Sequence, residues 1–579
     1  MTKTILFVGL LIVYQFAAAA WDNVENNQKV AYLDGAQYNQ CVVPDNEGGC
    51  FVVWQDTRLA DNLDQIVAQH FDSLGNPSWQ ENGIYLAPTA NVQRYVQAFG
   101  DGNGGLITLW ADHRDSIGPT SRNVDLWGQR VDKSGTLQWG NLGKLLVGEK
   151  GEQNIPLTIS NGKDGFILAW KDGGDVPSGR QSGYWMQRFD VAGNEQWTKG
   201  GHMIHQVSNV FSSSRQWTMC SDGTNGAILI FTESGVNTEQ ASNIYGHRVD
   251  ATGTRYWKPD IDTIAGSFFI ERGFPINKGK GNDNFPIVEL GEDGFVYISW
   301  QGKRETSWQH GALFAQKITV NGDFLWAKEG VQISTTSLDA SNQFDMLLDH
   351  NGGIFFNYIV DKSNRRDLIR FDTAGKKSWV SPVTINDDMI AISRMKRVHQ
   401  NKMYVAWIET ERNQNSENAI VVQWFDTLGN KLLEGNAVIS TYPEDKASIV
   451  IETGLNDELF CVWGDYRRTN GQSSSNADVD LFIQRFVSSK TAGIQNNITQ
   501  SGYFWVIDSE TSIQFITNNL RSEIGQLYVI DMMGKTCVST AAVSLNQSVE
   551  IEASSMASGI YTAILQTKNG THTLKFYHR

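Results

Sequence analysis

A chain of 579 residues is too long for one ordinary core and long enough for about three or four. Apolar residues make up 40% and charged ones 19%, a balance that excludes a disordered chain, a collagen and a coiled coil. Lys and Arg number 48 against 63 Asp and Glu, and the net charge of −15 disfavours phosphate-rich partners such as nucleic acid, while five cysteines are too few for a disulfide scaffold.

The chain opens with MTKTILFVGLLIVYQFAAAA (Met1–Ala20). Lys3 supplies a positive start, Ile5 to Tyr14 an apolar stretch, and Ala18 to Ala20 a small-residue cleavage site. The apolar stretch is shorter than the roughly 20 residues that span a bilayer. A signal peptide cut before Trp21 is therefore expected. No later stretch reaches spanning length without charge, so the mature chain is expected to have no transmembrane segment.

The next feature is a repeat. In Gln69–Gly75, followed by Trp79, a strand runs into D-x-x-G-x-x-x-W. The pattern returns at Asp132/Gly135/Trp139, Asp190/Gly193/Trp197, Asp250/Gly253/Trp257 and Asp372/Gly375/Trp379. Thr319/Gly322/Trp326 changes the Asp, and Asp426/Gly429/Leu433 changes the Trp. Successive glycines lie 60, 58, 60, 69, 53 and 54 residues apart. Upstream of each turn sits a Gly-led apolar strand ending near Trp, as in GGCFVVWQD (Gly48–Asp56), GGLITLWAD (Gly104–Asp112) and ELFCVWGD (Glu458–Asp465). Tight Gly/Asn/Asp turns precede these strands, and further short strands flank each pair. Each unit is four antiparallel strands in about 59 residues, and a four-stranded sheet repeated radially is a propeller. The eighth copy, Leu481–Phe486, stops before its turn, whereas Gln28–Leu33 has no unit of its own. That orphan strand is expected to complete the eighth sheet and tie the first blade to the last.

Six turn tryptophans and six strand tryptophans (Trp54, Trp110, Trp170, Trp300, Trp407, Trp463) account for 12 of the 19. Their size suits burial between blades. Trp127, Trp185, Trp217 and Trp308 lie outside both motifs and are better candidates for a platform facing sugars. The turn motif resembles the tryptophan-docking repeat of eight-bladed quinoproteins, but the Asp-to-Gly spacing is one residue shorter and the adjacent cysteine pair is absent. Shared blade mechanics, with no cofactor, is the expectation. The Asp-box spacing of sialidases is not met.

The long loops after the W-x-D strands carry the polar chemistry. Asp56/Arg58, Asp112/Arg114 and Asp465/Arg467 form D-x-R triplets, joined by Asp61, Asp64, Asp115, Asp125, Asp478 and Asp480, and by Asp172 and Asp175 in the third unit. Each Asp can pair with its own Arg to brace a loop. Alternatively, clustered oxygens can hold a hard cation such as calcium, with Asp56, Asp112 and Asp465 as candidate ligands. Candidate binding residues on this loop face are Arg58, Arg114, Asp125, Trp127, Asp172, Trp185, Trp308, Arg467 and Asp478. No EF-hand, HExxH or GxSxG motif appears, the ten histidines show no ligand spacing, and no catalytic residue is assigned. Cys41 and Cys50 flank a hairpin turn where a cross-strand disulfide is allowed, while Cys220, Cys461 and Cys537 read as small core residues.

After the polar connector Ser488–Gln500 the texture changes to short alternating runs at Ser512–Thr517, Gln526–Asp531, Ser548–Glu552 and Tyr561–Gln566. Period-two alternation with turns at Met533–Lys535 and Asn569-Gly570 describes a small antiparallel sandwich. The segments LYVIDMMGK (Leu527–Lys535), SSMASGIYTAIL (Ser554–Leu565) and KFYHR (Lys575–Arg579) follow in order. This block resembles the C-terminal sorting domain of type IX secretion, found in Bacteroidetes, with Gly534, Lys535, Gly559, Tyr561 and Lys575 carrying the signal. The usual Pro-Asn-Pro entry is replaced by Gly502-Tyr503-Phe504. The resemblance implies a cargo that crosses the outer membrane by the type IX machinery and is released or attached at the surface.

The expected organisation is all-β. A signal peptide (1–20) precedes an eight-bladed propeller of four-stranded blades (21–487), a linker (488–500) and a sorting sandwich (501–579). A secreted or surface binding protein for a glycan or another surface protein is the favoured function. A polysaccharide-degrading enzyme, or less so a quinoprotein, is the alternative. Fold cannot decide among them.

Overall fold

The computed structural model describes residue 21 and most residues from 24 to 578. It does not describe 1–20, nor a set of connecting segments of which the longest are 116–122, 208–216, 234–241, 304–310, 335–343, 410–417, 470–478 and 488–498. The chain divides into two units, Met1–Phe486 and Val487–Arg579.

The first unit holds eight four-stranded antiparallel sheets. Blade 1 runs Gln37–Pro44, Cys50–Asp56, Gln65–Phe71 and Ile84–Tyr85 from the inner edge outward. The second strands read as unbroken apolar runs because both their faces are covered: every residue of Cys50–Asp56, Leu106–Asp112, Phe166–Asp172 and Leu459–Asp465 is buried. Blades meet through eight apolar clusters, one at each seam. Each inner strand packs against the inner strands of its two neighbours, and the eighth packs against the first. A closed ring removes the open sheet edges that a row of separate sheets would expose.

The ring is joined by strand exchange. Gln28–Ala31 pairs antiparallel with Asp480–Phe486, setting Lys29 opposite Phe482 and Ala31 opposite Leu481. It forms the outer strand of the sheet whose inner strand is Lys446–Thr453. The 69-residue interval between Gly253 and Gly322 also has a cause. An extra hairpin, Ile261–Ile264 with Phe268–Glu271, is inserted before the last strand of blade 4.

The D-x-x-G turn behaves as its residues dictate. Asp72 accepts the amide N–H groups of Leu74 and Asn76 at 2.8 and 2.9 Å, and Gly75 takes φ +87°. The turn tryptophan then reaches the next blade. Trp79 donates its indole N–H to Lys133 O at 3.0 Å, Trp197 to Ala251 O at 2.8 Å, Trp257 to Val320 O at 2.8 Å and Trp379 to Thr427 O at 2.9 Å. In every case the acceptor follows the first residue of the next turn. All six strand tryptophans are fully buried.

The second unit contains two antiparallel sheets. One orders Thr499–Gln500, Phe504–Asp508, Ser512–Thr517 and Val549–Glu552, so the end of the stretch read as a linker is already strand. The other orders Thr536–Ser539, Ile524–Asp531, Gly559–Thr567 and Gly570–His578, with Val543–Ser544 also pairing to Ile524–Asp531. Leu527, Val529, Tyr561 and Ala563 are its buried side chains among those described, at the alternation a half-covered sheet requires.

Cys41 and Cys50 are not joined. Cys41 lies opposite Val53 and Cys50 opposite Pro44, three positions apart along the ladder. Cys41 packs at the seam with blade 2 and Cys50 at the seam with blade 8, so the two thiols occupy opposite faces of the sheet. Cys461 is buried, but Cys537 is exposed rather than part of a core.

Candidate functional site

The D-x-R residues assemble into one recurring brace. In blade 1 the Trp54 indole N–H donates to Asp56 at 2.8 Å, and Arg58 donates to the same carboxylate through Nε at 2.8 Å. Arg58 also donates to Asn82 O at 2.9 Å. Blade 2 repeats the set with Trp110, Asp112, Arg114 and Leu142 O. Blade 8 repeats it with Trp463, Asp465, Arg467 and Asn26 O. Blade 3 completes it with Arg180, which lies eight residues beyond Asp172 and still reaches Gly200 O at 3.4 Å. In each case the arginine ties the middle of the blade to the entry of its outer strand. A Cβ on Gly83 or Gly201 at that entry would meet the strand tryptophan at 2.6 Å, and both glycines hold positive φ.

These carboxylates are therefore structural. Asp56, Asp112, Asp172 and Asp465 are at most 1% exposed, with their oxygens taken by indole and guanidinium donors. Among the described residues no group of three or more Asp, Glu, His or Cys side chains is arranged to hold a metal ion. Arg58, Arg114 and Arg467 are likewise spent inside the brace. Arg114 lies 3.5 Å over the Trp127 ring and Arg180 3.8 Å over Trp185, so one face of each candidate platform is already covered. Trp217 is buried. Asp61, Trp308 and Asp478 lie outside the described residues, as does Gly534 of the sorting signal. Lys535 is exposed, Tyr561 is buried, Gly559 sits opposite His578, and Lys575 sits opposite Thr562.

Asp125 is the exception on this face. It stands opposite Asp112 across the ladder. Burial, followed by repulsion from and a hydrogen bond with Asp115, pushes its carboxyl up to about 7. Its folded value lies above the unfolded one, so the stability it contributes is present at low pH and is lost as pH rises through about 7. Asp125→Asn is expected to raise stability by about 1 kcal/mol at about pH 8 and to leave it unchanged at about pH 4. Urea denaturation at both values checks this, and equal effects at both would reject it.

A different surface breaks the repeat. The inner-strand position opposite the third residue before the strand tryptophan is Val43, Phe99 and Ile159 in blades 1 to 3. It is Cys220 in blade 4 and Leu347 in blade 6, with Phe231 and Tyr358 standing where the tryptophan would be. In blades 5, 7 and 8 it is Glu289, Lys396 and Glu452. These positions sit at the ends of the inner strands beside the first hairpin turns, and a cavity of about 570 Å3 opens there, spanning blades 4 to 8. Lys396 pairs with Glu452 at 2.7 Å and Arg397 with Glu292 at 3.2 Å. Glu289 accepts the Leu348 N–H at 3.1 Å, and burial pushes its carboxyl up to about 7 against the pull of Lys396 and Arg397. Asp345, which accepts the Met395 N–H at 3.0 Å, is also raised by burial. None of these residues belongs to either repeated motif. The available signal was a charged side chain at a position that is apolar in the other blades.

Residues 508–578 match the model of the secretion system C-terminal sorting domain. No curated protein matches the chain. Among solved structures, a protein of unknown function from Dyadobacter fermentans DSM 18053 is 7% identical, with TM-score 0.32, over 69% of this chain and 95% of that one. Prolyl oligopeptidase B from Galerina marginata is 10% identical, with TM-score 0.39, over 77% of this chain and 57% of its own. The polysaccharide lyase Uly1 is 11% identical, with TM-score 0.36, over 70% and 94%. Likeness this distant says nothing of activity. The described residues contain no helix long and apolar enough to cross a membrane. The match at the C-terminus, behind a propeller of eight sheets, makes this chain a cargo protein of the type IX secretion system, secreted or attached at the cell surface.

Proposed function

We propose that the cargo is a binding protein whose propeller engages a glycan or another surface protein at the mouth of its central channel, without chemistry of its own. The observation that carries this reading is the departure from the repeat at Glu289, Lys396 and Glu452. Three charged residues, on blades 5, 7 and 8, stand where blades 1 to 3 carry apolar ones, and they line one cavity. Both cations of the lining already pair with carboxylates, which suits holding a ligand more than turning one over. A glycan-array and surface-protein pull-down screen with the full chain tests it. Capture that is lost in Lys396→Ala, with folding intact, is the expected result, and capture indifferent to that change would defeat the proposed site.

A polysaccharide-degrading enzyme remains the second reading because Glu289 holds its proton near neutral pH, as a general acid must. Glycan turnover abolished by Glu289→Gln would establish it over binding.

We further propose the division into a leader (1–20), propeller (21–487), linker (488–500) and sorting domain (501–579). The final strand, Gly570–His578, pairs along its whole length with Gly559–Thr567. Deleting Lys575 to Arg579 is therefore expected to break the sorting sheet and strand the protein in the periplasm. Cell fractionation reads the outcome, and unchanged surface display would reject the role given to this end.

A further inference from the structure

We propose that the channel mouth takes a lysine or arginine side chain of a partner polypeptide, with its alkyl stem on Leu290 and Leu347 and its charged head at Glu289. This rests on the binding reading and narrows it to one ligand class. The cavity, about 570 Å3, is of the size that holds a small ligand or a few side chains. Among the described residues its apolar lining is aliphatic, from Leu290, Leu347 and Leu348, and includes no aromatic ring on which the face of a sugar could stack. That favours a polypeptide over a glycan.

Charge selects the head group. Lys396 and Arg397 are each held by a carboxylate, at 2.7 and 3.2 Å. Among the described residues Glu289 makes no ion pair, and it accepts a hydrogen bond from the Leu348 N–H at 3.1 Å. A side chain that combines an aliphatic stem with a cationic tip matches leucines beside such a carboxyl. The chain's net charge of −15 adds long-range attraction for a basic partner.

Binding of this kind is linked to protons. Glu289 faces Cys220 from blade 4, Leu348 N–H and Asp345 from blade 6, and Lys396 and Arg397 from blade 7. Burial and Asp345 favour its neutral form, while the backbone hydrogen bond and the two cations favour the charged one. An incoming cation adds to the latter group, so it drives the proton off. Affinity therefore rises between about pH 6 and about pH 8.

Isothermal titration of the full chain with the blocked tripeptides acetyl-Leu-Lys-Leu-amide and acetyl-Leu-Glu-Leu-amide tests the proposal. The lysine peptide is expected to bind, to weaken about tenfold or more in Glu289→Gln, and to tighten from about pH 6 to about pH 8, while the glutamate peptide does not bind. Proton release on the native chain, read from two buffers of different ionisation enthalpy, gives the same decision without a variant. No binding of the lysine peptide, equal binding of both, indifference to Glu289→Gln or no proton release would each overturn the proposal. A surface ligand captured by the full chain but not displaced by the lysine peptide would overturn it and leave the binding reading standing. Absence of any captured ligand would remove both.

Discussion

Replacing Trp21 by alanine is expected to cost about 3–5 kcal/mol of propeller stability and to open the ring at one seam. Blade 8 has no D-x-x-G turn and no turn tryptophan of its own, because its outer strand comes from the other end of the unit. Trp21 fills that place. Its indole N–H donates to Ser73 O at 3.1 Å, and Ser73 follows Asp72 as Lys133, Ala251, Val320 and Thr427 follow the first residues of their turns. The side-chain amide of Gln484 donates to Trp21 O, as Gln69 donates to Gln80 O and Gln129 to Gly140 O in other blades. The ring is 4% exposed and packs between Phe71 of blade 1 and Phe460 of blade 8, each 6.1 Å away. Loss of this contact leaves a cavity between the first and last blades, beside the short strand Gln28–Ala31 that joins the two ends of the unit. Urea denaturation measures the loss. Limited proteolysis should show early cutting near Gln28 in Trp21→Ala but not in Trp79→Ala, which damages a seam the chain itself crosses. Stability within about 1 kcal/mol of the native protein would show that Trp21 does not seal the ring.

Asp112→Ala is expected to destabilise blade 2 by about 3–5 kcal/mol, because it removes the charge partner of the largely buried Arg114 guanidinium and the acceptor of a buried indole N–H. The carboxylate takes the Trp110 indole at 2.8 Å, Arg114 Nη2 at 2.6 Å, the Arg114 amide at 2.9 Å and the Gln93 amide at 3.1 Å. Asp112→Asn keeps one acceptor oxygen and loses the charge, so a smaller loss is expected. Removing the arginine as well, in Asp112→Ala with Arg114→Leu, should recover part of the first loss, since the unpaired charge is then gone. Denaturation of the three variants with and without calcium decides between a brace and a metal ligand. A native chain stabilised by calcium through Asp112, with the alanine variant otherwise as stable as the parent, would establish the cation reading instead.

The brace shows where sequence reading stops. Asp and Arg two residues apart announce an ion pair, and that pair formed in blades 1, 2 and 8. Sequence spacing cannot reveal Arg180, six positions further along the loop than its counterparts, nor Arg272, which reaches Glu233 at 2.7 Å from beyond an inserted hairpin. Both reach the acidic residue at the end of the second strand of their own blade, although the chain between differs in length. The channel mouth was hidden for another reason. Its residues belong to strands in different blades, and their relation appears only once the repeats are set in register around an axis.

Period-two alternation, the recurring glycine turns and the spaced tryptophans determined by themselves that this chain forms repeated four-stranded sheets and a separate C-terminal sandwich. Those signals are local, since a turn or a strand depends on residues within about ten positions. Tertiary structure alone decided that the D-x-R carboxylates are sealed inside blades, that Cys41 and Cys50 face opposite seams, and that Glu289, Lys396 and Glu452 share one cavity. It also decided the left-handed bulges at Tyr95, Ile155 and Phe285 (φ +57°, +51° and +57°), where the inner strands turn beside the axis against the preference of their residue types. Each of these depends on what packs across a seam or around the channel, and closure of a ring fixes such neighbours at sequence separations no local pattern encodes.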